Sequence, residues 1–272
     1  MQKTGKKRDT IDKFYTNPTI VNKYVKNFRD YINRDDIIIE PSAGSGSWMS
    51  PLQEYNLIAF DIQPEGSNIQ QKDFLEVDLS SFQSNLHFIG NPPFGRQSSL
   101  AKKFIKHICS CDRTQTVAFI LPKSFKKTSC RKVFPRTFHL EFQEDVQKDA
   151  FLLNNKSYDV PCIFQIWVRK DYERYMAPVL TPEGYVFVKK DENPDYSLRR
   201  VGVYAGKIDR ETSNKSFQSH YFIKLDKDYV NFEEKYHEFI KWEHNNTVGP
   251  RSISKQEYIR EINKLISLLS TS

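Results

Sequence analysis

The sequence predicts an α/β fold: an open, mostly parallel sheet with helices on both faces, followed by a smaller α+β extension. Three observations carry this. Over the first ~170 residues, short apolar runs alternate with segments of helical periodicity. The runs are continuous rather than alternating, as strands buried on both faces require. Each run ends in a polar or Gly/Pro cluster, so several chemistry-bearing loops should meet at the carboxyl edge of the sheet.

In chain order, Ile20, Val21, Tyr24 and Val25 mark a first helix, and Asp36–Glu40 is a short β-branched strand. The turn Pro41-Ser42-Ala43-Gly44-Ser45-Gly46 follows, with Ser47 and Trp48 expected early in a second helix and Trp48 in the core. Leu57–Asp61 and Leu86–Gly90 repeat the strand pattern, and Ser99–Ile108 places Leu100, Phe104, Ile105 and Ile108 on one helical face. Thr116–Leu121 is a fourth strand stopped by Pro122, after which Pro122 and Ser124 favour a helix start. Thr137–Phe142 and Val160–Val168 suit an antiparallel pair closing the sheet, with Pro161 tolerable only at a strand start or edge. Past a soft boundary, which divides the chain into residues 1–170 and 171–272, strands are expected at Tyr185–Val188, Arg200–Tyr204 and His220–Leu225. Helices follow at about Asn231–Trp242 and after Ser254, where Ser254 and Glu257 form a capping box and Ile253 and Tyr258 a hydrophobic staple.

Composition removes whole classes. With 272 residues, 20 Phe, 14 Tyr and 3 Trp, the chain is not a disordered one. No run approaches the ~18 consecutive apolar residues of a membrane span. The opening Met1–Arg8 segment has no apolar stretch behind its charges, so a soluble protein of the cytoplasm (or of a eukaryotic nucleus) is expected. Cys109 and Cys111 are too close for a usual zinc pair, and Cys130 and Cys162 stand alone. Buried reduced thiols, and no metal, are expected. A net charge of +7 is compatible with a polyanionic partner.

Two segments carry chemistry. In Glu40–Gly46 a glycine turn between strand and expected helix lets a ligand approach bare backbone, and Asp61 ends the next strand where a ribose-binding acid sits in nucleotide-binding units. No Gly-Lys-Ser/Thr follows, and Glu40 would repel a phosphate, so a cationic, ribose-bearing cofactor fits better. An ordinary tight turn is the alternative. In Asn91-Pro92-Pro93-Phe94, two prolines stiffen the backbone and present an amide oxygen, a carbonyl and a ring at the sheet edge. Those groups suit an amine on a heteroaromatic ring: the Asn91 side-chain oxygen and the Pro92 carbonyl accept its two N–H bonds, and Phe94 stacks on the ring. The alternative is a loop with a core Phe.

These two segments resemble the cofactor and catalytic motifs of class I S-adenosylmethionine-dependent methyltransferases that act on exocyclic amines, most closely the adenine-N6 branch with Asn-Pro-Pro-Phe/Tyr. Phe14-Tyr15-Thr16-Asn17-Pro18 ahead of the glycine turn is similar to the order in gamma-type DNA adenine methyltransferases, so the resemblance spans about residues 12–170. It implies a seven-stranded Rossmann-like methyltransferase sheet and S-adenosylmethionine as cofactor. Thr16 and Pro18 would line its methionine end. Glu40, Pro41 and the Ala43–Gly46 backbone would hold the amino-acid portion. Asp61 would meet the ribose, Ile62 and Phe74 the adenine, and Asp73 the adenine amine. The implied reaction is methyl transfer to the N6 amine of adenine in nucleic acid, with DNA ahead of RNA. The alternatives are cap or ribosomal RNA adenosine methylation, protein glutamine methylation, and an inactive nucleic-acid-binding subunit.

The partner surface is read from charge. From Lys123 to Arg136 there are six cations and no acid, with Lys123, Lys126, Lys127, Arg131 and Lys132 placed beside the catalytic edge as a phosphate clamp or a solvated face. Lys3, Lys6, Lys7 and Arg8 form a second basic group. In the extension, Arg199–Lys207, with Arg200 and Lys207 as nucleic-acid contacts, is a recognition hairpin or a strand bulged at its glycines.

Overall fold

The computed structural model describes residues 15–153, 156–158, 160–176, 178–242 and 251–270, so Lys3, Lys6, Lys7, Arg8 and Phe14 lie outside the described residues. After the short strand β1 (Tyr15–Thr16), helix α1 (Pro18–Phe28) opens with Pro18 in its first turn and the Asn17 side chain accepting the Thr19 N–H at 3.0 Å. Its buried stripe is Ile20, Val21, Tyr24, Val25 and Phe28. Strands β2 (Ile37–Glu40), β3 (Asn56–Asp61), β4 (Gln70–Gln71), β5 (Leu86–Gly90) and β6 (Thr114–Pro122) are parallel. Helix α2 (Ser99–Cys109) joins β5 to β6. A single helical turn, α3 (Thr128–Arg131), leads to β7 (Phe138–Asp145). Strand β8 (Phe151–Leu153) pairs with β1 on one side and with β9 (Lys156–Tyr158) on the other, and β10 (Cys162–Arg169) follows.

Among the described residues the main sheet has seven strands in the order β4-β3-β2-β5-β6-β10-β7, with β10 antiparallel to both its neighbours. This is the seven-stranded Rossmann-like sheet. Helix α2 covers one face, its Ala101, Phe104, Ile105 and Ile108 in a cluster with Phe74, Phe88 and Trp167. Helix α1 covers the other, with Trp48, Ile89 and Phe164. Trp48 stacks on Phe164 at 6.3 Å, in the core.

Two connections differ from the expectation. No α-helix follows the glycine turn. The chain returns to β3 through turns and a 3-10 segment, Ser50–Leu52, because successive bonds span only three residues: Met49 N–H to the Gly46 carbonyl, and Leu52 N–H to that of Met49, both at 3.0 Å. Pro51 has no N–H with which to extend a four-residue ladder. The basic run forms no single helix either. A 3-10 turn, Lys123–Lys126, and α3 are separated by Lys127 in extended backbone (φ −78°, ψ 137°). Of the cysteines, Cys109 and Cys162 are buried and Cys111 and Cys130 only half-buried.

The chain divides into two units at Tyr175/Met176. The first extends to this point because Arg174 folds back, donating to the carbonyls of Pro135 (2.7 Å) and Phe134 (3.0 Å) and lying over the Trp167 ring. The second unit is an antiparallel sheet of β11 (Tyr185–Val188), β12 (Tyr196–Arg199), β13 (Ile208–Asp209) and β14 (His220–Leu225), in the order β11-β14-β12-β13. Helices α4 (Phe232–Phe239) and α5 (Lys255–Ser270) follow. The expected strand at Arg200–Tyr204 is instead a connection between β12 and β13. Gly202 and Gly206 hold φ of 92° and 98° there, and the Gly206 N–H closes the turn on the Arg199 carbonyl at 2.7 Å. The capping box forms: the Ser254 N–H meets Glu257 Oε2 at 2.7 Å, the Glu257 N–H meets Ser254 Oγ at 3.3 Å, and Ile253 and Tyr258 share the core of this unit. No helix among the described residues is long and apolar enough to cross a membrane.

Candidate active site

Parallel strands deliver their carboxyl ends to one edge, and the residues following β2, β3, β4 and β5 surround a cavity of about 320 Å³. The glycine turn contributes Pro41, Ala43 and Gly44. The end of β3 contributes Asp61 and Ile62. Asp73 and Phe74 follow β4, and Asn91 and Pro93 follow β5. Thr16 closes the cavity from β1.

Backbone geometry builds the glycine turn. Gly44 holds φ +54°, and a Cβ there would stand 3.5 Å from the Tyr15 ring. Its N–H donates to Asp61 Oδ2 at 2.7 Å, and the Gln63 N–H donates to Asp61 Oδ1 at the same distance. Asp61 therefore fixes the turn while each oxygen keeps lone-pair capacity toward the cavity. The Ala43 N–H binds the Phe60 carbonyl at 2.9 Å, tying the turn to β3.

Glu40 is the electrostatic centre. It is 1% exposed, lines the cavity, and neither carboxylate oxygen has a hydrogen-bond partner. Burial, and then the charge of Asp61, push its carboxyl well above the ordinary carboxylate range. Gly90 beneath it holds φ +147°, a backbone conformation that other residues rarely adopt. A buried acid without a partner is costly. A cationic donor entering the cavity would satisfy it.

The Asn-Pro-Pro-Phe turn is joined to the glycine turn directly: Ser42 Oγ donates to the Asn91 carbonyl at 3.2 Å. Asp73 caps a 3-10 turn, Phe74–Glu76, accepting the Leu75 N–H on Oδ1 at 2.9 Å, and Phe74 is buried among Phe60, Phe88 and Phe104 while it borders the cavity.

Four expected positions stand away from the cavity lining. Pro18 is exposed in the first turn of α1, where its fixed φ and missing N–H suit helix initiation. Gly46 turns behind the loop, where a Cβ would meet Met49 Sδ at 3.1 Å. Pro92 is buried. Phe94 is half-buried against the Trp48–Phe164 cluster, and its carbonyl accepts the Leu100 N–H at 3.1 Å at the start of α2.

Other residues join the site without having been expected there. Tyr15 lines the cavity and its hydroxyl donates to Glu65 Oε2 at 2.6 Å; burial first, then this bond and the Glu65 charge, push the phenol up to about 12. Lys72, Leu100 and Phe104 also line it. Only the position of Tyr15 beside Thr16 hinted at this in the sequence.

The basic run is less open than its composition. Lys123 and Lys126 pair with Asp145 at 3.3 and 2.5 Å. Arg131 is turned inward, donating to the Phe125 carbonyl at 3.0 Å and Gln143 Oε1 at 2.7 Å, and burial pulls its pKa down. Lys132 is exposed and Lys127 half-buried. In the second unit the Arg200 guanidinium lies over the Tyr221 ring, and the exposed Lys207 is 3.8 Å from Asp209. Among the described residues no cluster of His, Cys, Asp and Glu suits a metal ion.

No protein-family profile matches the chain, and no curated protein matches it. Among solved structures it is similar to the 23S rRNA methyltransferase ErmE, at 15% identity and a TM-score of 0.47 over 61% of this chain and 73% of that one. It is also similar to a tRNA methyltransferase of M. jannaschii, at 16% identity and a TM-score of 0.40 over 59% and 52%. A type I restriction-modification methyltransferase subunit from Streptococcus thermophilus matches at 15% identity and a TM-score of 0.42, over 60% and 46%.

Proposed function

We propose that the protein transfers a methyl group from S-adenosylmethionine to the N6 amine of adenine in nucleic acid, with DNA ahead of RNA as substrate. The observation that carries this reading is the joining of two motifs on one cavity. The partnerless carboxylate of Glu40 lines it together with Asn91 and Pro93, and the Ser42–Asn91 bond locks the two motifs together.

The residues present fit the cofactor. Glu40 would take the amino group of its methionine portion, which gives the buried acid the cation it lacks. Asp61 would use its remaining lone pairs on the ribose hydroxyls. Asp73, with Oδ1 engaged by its own turn, would offer Oδ2 to the adenine amine between Ile62 and Phe74. When bound, the cofactor supplies an electrophilic methyl group on a sulfonium.

Asn91 and Pro92 do the work on the substrate. The adenine amine is a poor nucleophile because its lone pair is delocalised into the ring. Accepting its two N–H bonds at the Asn91 side chain and the Pro92 carbonyl favours a pyramidal nitrogen whose lone pair points into the cavity. The base must leave its strand to reach this turn, where the half-buried Phe94 would stack on it. Fixed prolines keep the acceptors preorganised, so positioning supplies most of the acceleration.

The test is transfer of isotopically labelled methyl from S-adenosylmethionine to duplex DNA, single-stranded DNA, RNA and protein, with the modified residue identified after digestion. Label on N6-methyladenine in nucleic acid is the expected result. Label on glutamine alone, or transfer to none of the four, refutes the proposal.

A further inference from the structure

The second unit holds a cavity of its own. It measures about 190 Å³ and is lined by Arg199, Tyr204, Lys207, Asp209, Lys215 and His220, with Ser197 at its base. That is several times the ~30 Å³ share of one water. It is smaller than the ~300 Å³ at which pockets for whole small molecules begin. A single tetrahedral group fits such a space.

Its charge is unbalanced. Three permanent cations face one carboxylate, and that carboxylate is already engaged. Asp209 Oδ1 accepts the Glu211 N–H at 3.0 Å, and Oδ2 meets Lys215 at 2.8 Å and Lys207 at 3.8 Å. Arg199 uses only its Nε internally, on the Val201 carbonyl at 3.1 Å, and has no carboxylate partner among the described residues. His220 is 7% exposed and directs Nδ1 at the Ser216 carbonyl (3.2 Å) and the Ser219 hydroxyl (3.0 Å), which leaves Nε2 on the opposite side of the ring. Beside these cations Tyr204 is 69% exposed. Large exposed rings among cations are what a nucleic-acid strand uses, with phosphate on the charges and bases on the ring faces.

We propose that this cavity is a phosphodiester-binding subsite for a nucleic-acid strand, in which Arg199, Lys207 and Lys215 hold one backbone phosphate and Tyr204 stacks the adjoining base. This rests on the nucleic-acid substrate proposed above and extends it to a second contact, in the C-terminal unit. The unit thereby acts on the phosphate backbone, which positions a strand without reading its sequence.

The experiment measures binding of fluorescein-labelled single-stranded DNA and RNA dodecamers to the full chain by anisotropy, across a salt series. Removing two of the three cations on that one phosphate in R199Q/K207Q should weaken binding by on the order of tenfold and lower the slope of log K against log salt by up to about 0.7. Y204A should weaken binding by about tenfold with the salt slope unchanged, since stacking releases no counterion. A charge-matched pair on the exposed loop, K189Q/K190Q, should change neither by as much. Far-ultraviolet circular dichroism melts that match wild type in all three variants show that the mutated unit is folded. The subsite alone is overturned if the wild-type chain binds strands while R199Q/K207Q keeps its affinity and slope, or loses no more than the control pair. Absence of strand binding by the wild-type chain overturns the subsite, whereas the substrate proposal falls only if labelled methyl reaches none of the nucleic acids, duplex DNA included.

Discussion

Replacing Glu40 with Gln should move stability and ligand affinity in opposite directions. The side chain is 1% exposed and both of its oxygens lack partners. Burial, with Asp61 adding to it, holds the carboxyl well above its ordinary value of 4.5. An acid whose folded pKa is raised keeps its proton in the folded chain after the unfolded chain has released it. Stability is therefore lost as pH rises from about 4.5 through the folded value. The amide is nearly isosteric and carries no charge to desolvate, so the ligand-free E40Q chain should melt above wild type at neutral pH, by ~2–4 °C for each kcal/mol recovered. S-adenosylmethionine binding should fall. A hydrogen bond between charged groups contributes about 1.5–3 kcal/mol, which corresponds to a roughly 10- to 150-fold weaker Kd. Scanning calorimetry without ligand and titration calorimetry with it measure the two effects. Affinity within twofold of wild type, or a lower melting temperature, would refute the assignment of Glu40 to the cofactor's amine.

Three further outcomes are expected. Asn91→Ala should lower methyl transfer by on the order of 10²- to 10³-fold while leaving the Kd for S-adenosylmethionine within a few-fold, and parallel loss of both would make Asn91 a structural residue. His87 is held below its ordinary 6.5 by burial, against the pull of Asp36 at 3.0 Å, so the unfolded chain takes up a proton below pH 6.5 that the folded chain refuses. Urea midpoints should hold above that pH and fall as pH drops beneath it, and H87Q should flatten the fall; an unchanged profile in H87Q rejects the assignment. Asp145→Asn frees Lys123 and Lys126 from their ion pairs, so strand binding should tighten and its salt dependence steepen if that edge meets phosphate. Unchanged binding would remove those two lysines from the interface.

The sheet was legible because its strands are continuous apolar runs, as two-sided burial demands, and because each ends in a polar or Gly/Pro cluster. Glu40, Asp61, Asp73 and Asn91 share a cavity for the same reason, as parallel strands bring their carboxyl ends to one side. What the residues hid was set by contacts distant in sequence. The run from Lys123 to Arg136 contains no acid, yet Asp145 on β7 meets two of its lysines. The strand–helix alternation suggested a helix after the glycine turn, but Pro51 and three-residue bonding made a 3-10 return instead. In the second unit, Gly202 and Gly206 adopt left-handed backbone and convert an apparent strand at Arg200–Tyr204 into a turn, while the strand lies just before it at Tyr196–Arg199. In the sequence His220 marked only the start of a strand, and Lys215 gave no signal of a site. Only the folding of β12, β13 and β14 against one another brings them beside Arg199.

Crystallising the chain with S-adenosylhomocysteine tests most directly whether the cavity at the carboxyl edge is the cofactor site. The product's amino group is expected within about 3.2 Å of a Glu40 carboxylate oxygen, with its ribose hydroxyls on Asp61 and its sulfur facing Asn91. A product bound elsewhere, or one that turns its carboxylate toward Glu40, would contradict it.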